Sequence, residues 1–164
     1  MRVKKPAPGK KTAEGKKAGR GTKAAKVSAR GGEVRSLERN EDLVRLRLPV
    51  GPFSGQLIRL TVYLVASRMR FDLAALEDLS LAVDEAFNYA VSHAPRDSSL
   101  EVEIGPGKEY LEIVLKANLA ENGEARAVMP ESFSRMIMQS VVDDVELQRE
   151  EASCRITLRK KRPL

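Results

Sequence analysis

From residue 43 onward, apolar and polar positions alternate in two rhythms, and their changes mark the elements. Leu43 to Leu48 (LVRLRL) alternates apolar and basic residues, the pattern of a strand with one buried face. Pro49-Val50-Gly51-Pro52 stops it, and a helix starting at Ser54 or Gly55 runs through Arg68, with Leu57, Leu60, Leu64 and Val65 predicted to face inward. β-Branched Thr61, Val62 and Val65 lower its intrinsic propensity, so packing must hold it. Leu73 to Ala94 reads as one long helix. Asp72 is placed to cap its first turn, and Leu76, Leu79, Val83, Phe87, Ala90 and Val91 recur at spacings of three and four as a broad buried stripe.

Pro95 to Ser98 then forms a turn. Leu100 to Ile104 and Tyr110 to Lys116 alternate as strands on either side of a Gly105-Pro106-Gly107-Lys108 hairpin turn. A polar loop, Asn118 to Met129, leads to Pro130, which suits the first turn of a helix reaching about Val142, with Phe133, Met136, Ile137, Ser140 and Val141 on its apolar side. Val145 to Leu147 and Cys154 to Leu158 close the chain as strands. The order β, α, α, β, β, α, β, β predicts an α+β, two-layer α/β sandwich: a mixed, mostly antiparallel sheet covered on one face by three helices.

Charge divides the chain differently. Of the formal net charge of +6, residues 1–36 contribute +10, with 12 Lys and Arg against Glu14 and Glu33, and the remainder contributes −4. That first segment is rich in Lys, Ala, Gly and Pro and too poor in apolar residues to offset its ordering entropy. It is expected to be a disordered basic tail, with residues 37–164 as the folded domain. Its doublets Lys4-Lys5, Lys10-Lys11 and Lys16-Lys17 suit non-specific phosphate contact, and it offers no aromatic ring for base stacking. The alternative role is a solubilising linker.

One cysteine, Cys154, excludes an intrachain disulfide and fits a reducing compartment. With a single histidine, His93, a zinc site is disfavoured. No apolar run reaches the ~20 residues of a membrane span, and the N-terminus lacks a secretory h-region, so a soluble cytoplasmic protein without membrane partners is expected.

Candidate chemistry gathers on the long helix at Asp84, Glu85, Asn88 and His93. Carboxylates and amides about one turn apart share a face there and suit a metal–phosphate group or activation of a hydroxyl. The alternative is a core helix with a solvated polar edge.

The phrase LEDLSLAVDEAFNYAVSHA resembles the signature helix of the bacterial anti-sigma-factor serine-kinase family, within the GHKL (histidine-kinase-like) ATPases. It matches at Glu77, Asp78, Ala82, Val83, Glu85, Ala86, Ala90, His93 and Ala94. LVRLRLPVGPFSGQLIRLTVYLVASRMRF resembles that family's first strand and helix, and MIMQSVVDDVELQREEASCRITLRKK its last helix and hairpin.

The resemblance implies Glu85 as general base for phosphoryl transfer to a serine. The family's magnesium-holding asparagine falls at Tyr89, and a phenol is a poor substitute for a compact oxygen ligand. An Asp84/Asn88 pair is the displaced alternative for nucleotide and metal, rotated about 100° around the helix. Ala117-Asn118-Leu119 stands in place of the family's D-x-G, and Ser132-Phe133-Ser134 in place of its G-x-G. The lid between these boxes, about Ala120 to Glu131, is shorter than the family's.

These departures imply an anti-sigma-like regulatory domain that has lost efficient ATP binding, with no cofactor. ATP and Mg²⁺ enter only if the domain is an active serine kinase, and nucleic-acid association through residues 1–36 is a third reading. The resemblance also implies a protein partner, either a sigma factor or an anti-sigma antagonist, met by Arg59, and a homodimer formed near the first strand and helix.

Overall fold

The computed structural model describes residues 42–120 and 130–163. The predicted tail, and most of the loop before the last helix, lie outside them. The elements are β1 (Val44–Pro49), α1 (Pro52–Arg68), α2 (Leu73–His93), β2 (Ser99–Pro106), β3 (Tyr110–Asn118), α3 (Glu131–Val141), β4 (Asp144–Arg149) and β5 (Ser153–Lys161). The five strands lie in the order β1-β2-β3-β5-β4, antiparallel at every pairing.

Strand alternation sets the two faces of this sheet. Leu100, Val102 and Ile104 of β2, Leu111, Ile113 and Leu115 of β3, and Ile156 and Leu158 of β5 are fully buried toward the helices. The intervening residues form cross-strand charge rows on the other face. Arg159 pairs with Glu112 and Asp144, both at 2.6 Å, and Glu103 takes both Arg45 and Lys116. Each exposed pair of this kind is worth about 0–1 kcal/mol, so the apolar face carries the fold.

The expected Asp72 cap is present: its Oδ1 accepts from the Ala75 N–H at 2.8 Å. The β2–β3 turn depends on Gly107, whose N–H donates to the Tyr110 carbonyl at 2.8 Å; a Cβ there would sit 2.8 Å from that oxygen.

α1 is rotated from its expected orientation. Ser54, Gly55, Ile58, Val62 and Ala66 are the buried positions, whereas Leu60 and Leu64 are 66% and 60% exposed. The cause is close approach to α2. A Cβ on Gly55 would lie 2.9 Å from the Phe87 ring, so the small residues of α1 face α2 and push its leucines outward. α3 corrects the expected pattern in the same way. Ser134 and Met138 are buried, while Phe133, Met136 and Ser140 are exposed and Ile137 and Val141 lie between. Lys160 locks the far end of this layer: its ammonium donates to Asp78 of α2 at 2.9 Å and to the last α3 carbonyl, that of Val141, at 2.6 Å.

Candidate functional site

The C-terminal half of α2 presents two edges, one residue's rotation apart. Glu85, Tyr89 and His93 recur every four residues on a buried edge, at 8%, 4% and 8% exposure. Asp84 and Asn88 occupy the neighbouring edge toward α1. Asp84 forms an ion pair there with Arg59, and Asn88 is exposed. Two of the sequence candidates, Arg59 and Asp84, are therefore brought together, while Glu85 and Asn88 are held on different sides. Asp84 binds Nη1 only, leaving the other guanidinium donors of a side chain that is still 40% exposed.

The buried edge is closed across the layer. The Tyr89 hydroxyl donates to Glu131 Oε2 in the first turn of α3 at 2.8 Å. Its ring meets His93 with centroids 4.5 Å apart. His93 Nδ1 lies 2.8 Å from the Tyr89 carbonyl oxygen, which places the ring proton on Nδ1, since a carbonyl only accepts. The His93 carbonyl in turn accepts from Ala120 N–H at 3.0 Å, tying the end of α2 to the chain leaving β3. Burial, then the bond to Glu131, pushes the Tyr89 phenol up to about 12. Glu85 has no hydrogen-bond or ion-pair partner among the described residues, although its side chain is buried.

Sequence reading missed Glu131. Its link to Tyr89 spans 42 residues and leaves no local signal beyond an acidic residue at a helix start. The described groups around the end of β3 differ from those the resemblance leads one to expect for a magnesium–nucleotide site. Tyr89 is a buried donor, Leu119 is buried, Asn118 lies exposed at the strand end, and α3 opens with a carboxylate where a phosphate needs bare N–H groups. No cluster of three or more His, Cys, Asp or Glu suited to a metal occurs among the described residues. Cys154 is buried, and burial pushes its thiol up, as for a structural residue. Among the described residues, no helix is long and apolar enough to cross a membrane.

An antiparallel sheet with its helices on one face, and a long central helix whose end is tied to the chain leaving β3, are the arrangement of a histidine-kinase-like (GHKL) ATPase-fold domain. A crystal structure of the RsbU and RsbW domains of a Mycobacterium tuberculosis protein has the same fold, with a TM-score of 0.56 at 12% identity over 74% of this chain and 33% of that one. The chain is 30% identical to the serine-protein kinase RsbW of Oceanobacillus iheyensis over 127 residues, 66% of this chain and 80% of the relative. To the Bacillus subtilis RsbW it is 33% identical over 82 residues, about half of each chain at 48% and 51%. No family model matches the chain. The chain belongs to the RsbW family of anti-sigma-factor serine-protein kinases.

Proposed function

We propose that this domain is an anti-sigma-type regulator that controls transcription by binding a protein partner, a sigma factor or an anti-sigma antagonist, and that its ATP binding is lost or weak. The observation that carries this reading is the Tyr89–Glu131 hydrogen bond. It fills the expected magnesium-ligand position with a buried ring. It also sets a carboxylate at the helix N-terminus, where nucleotide phosphates would need positive potential. Calorimetric titration of Mg-ATP and Mg-ADP into the full chain is the test. No heat is expected, and low-micromolar binding would overturn the reading.

The partner surface rests on α1. Phe53, Leu60 and Leu64 are 72%, 66% and 60% exposed, and with half-buried Leu57 they form one stripe at helical spacing. We place the second copy of a homodimer on this uncharged stripe. The free donors of Arg59, oriented by Asp84, are left for a carboxylate of the regulatory partner. Arg59→Ala should weaken partner capture while leaving the dimer intact, read by pull-down and sedimentation side by side.

A second reading, an active serine kinase, is favoured by Glu85: the residue is 8% exposed and its carboxylate has no described partner, which suits a general base. Phosphate transfer to a partner serine, abolished by Glu85→Gln, would support it over the first reading.

A further inference from the structure

The opposite end of the sheet from Tyr89 carries a second concentration of functional groups. The C-terminus of α1, the β2–β3 turn and the end of β5 enclose a groove of about 890 Å³, lined by Arg68, Arg70, Lys108, Glu109, Lys161 and Arg162, among others. Five cations thus face one carboxylate. None of the five side chains makes an ion pair or hydrogen bond to a described residue, and all five are exposed. Elsewhere among the described residues, six of the ten other Lys and Arg have acidic partners: Arg45, Arg59, Lys116, Arg135, Arg159 and Lys160. The charges of the groove are left open within a domain that is otherwise net acidic.

The backbone reinforces this. Arg70 is the one non-glycine residue with positive φ among the described residues, at 65°. It ends α1 in a Schellman arrangement, its N–H donating to the Ser67 carbonyl and the Phe71 N–H reaching Ala66. Glycine is the usual residue at this position, and a side chain there carries a steric cost. The chain accepts that cost and places a guanidinium at the groove. β1, which pairs Val44 with Ile104, begins at this same end, with Leu43 against Gly105.

We propose that this groove is a binding site for the phosphodiester backbone of a nucleic acid, read without sequence specificity. Spread, unpaired cations suit successive phosphates. Tyr110 is the only aromatic residue in the lining, too few for a stacking platform, and no groove-reading helix is presented there. In such an interface each phosphate contact releases a counterion, so affinity falls steeply with salt.

The test is fluorescence anisotropy of a labelled random-sequence DNA duplex with the full chain across a salt series. Lys108→Gln with Arg162→Gln is expected to weaken binding roughly ten-fold at 0.1 M salt and to flatten the salt slope by about 0.9 per contact removed. Arg96→Gln with Arg155→Gln removes the same net charge from exposed positions outside the groove and is expected to change neither. Arg70→Gly should weaken binding without loss of folding, which separates the groove from stability. Equal losses in the two double variants would reduce the effect to net charge and overturn the proposal. So would groove-dependent binding of labelled polyglutamate with DNA affinity unchanged, which would assign the site to an acidic protein segment.

Discussion

α1 and α2 pack against the same sheet with 17 and 21 residues, yet they distribute their apolar side chains in opposite ways. α2 buries ten residues on a stripe wide enough to meet the sheet, α1 and α3 together. α1 buries mainly small ones, Ser54, Gly55 and Ala66 beside Ile58 and Val62, and turns Phe53, Leu60 and Leu64 to solvent. A helix clamped between a sheet and two neighbours has no face to spare for binding. A helix at the edge of the layer can hold its place through small residues and keep its large ones for a partner. The proposed partner surface accordingly lies on α1.

The widest separation between the two helices is expected from truncation. Leu79→Ala in α2, at a residue 1% exposed, should cost about 2–5 kcal/mol. Leu60→Ala in α1 should stay within about 0.5 kcal/mol, as for a surface position. Urea denaturation of both variants measures the contrast, and comparable losses would mean that Leu60 belongs to the core. Leu60→Glu sharpens it further. With the second copy seated on this stripe as proposed, sedimentation equilibrium should show a shift from dimer to monomer with the far-UV circular dichroism unchanged, and a wild-type chain that sediments as a monomer would overturn the dimer.

Smaller effects are expected at the helix ends. Tyr89→Phe removes the bond to Glu131 and should cost about 0.5–1.5 kcal/mol. It should also alter the alkaline limb of the stability curve. The folded phenol, at about 12, lies above its ordinary value of 10.0, so its contribution is complete below pH 10 and is lost as pH rises toward 12. Denaturation across that window should fall more steeply for the native chain than for the phenylalanine variant. Last, Arg70→Gly should gain about 0.5–1 kcal/mol, because relief of the left-handed conformation outweighs the added freedom of the unfolded chain. A loss of stability would show that the Arg70 side chain holds the turn.

Much of this architecture was legible along the chain. Each of the eight elements follows from local rules: period-two alternation in Leu100 to Ile104, proline and glycine punctuation at Pro49 to Pro52, and the Asp72 cap, whose bond spans three residues. The resemblance on the α2 signature carried the family and the fold. The facing of α1 and α3 was not legible. α1 carries two apolar stripes, and periodicity does not say which one meets the core. That choice was made by the contact of Gly55 with the Phe87 ring, 32 positions along the chain.

The candidate site divides in the same way. That Glu85 and Tyr89 share a helix edge, with Asp84 and Asn88 one step around, follows from 3.6 residues per turn and needed no coordinates. That Asp84 is taken by Arg59, that Tyr89 is latched to Glu131, and that Arg68, Lys108 and Arg162 meet at one groove are products of tertiary structure alone. The physical reason is range. Backbone propensity, capping and amphipathic period act over a few residues and are written locally. Pairing between side chains tens of residues apart is set by how the layers pack, so it appears only once the chain has folded.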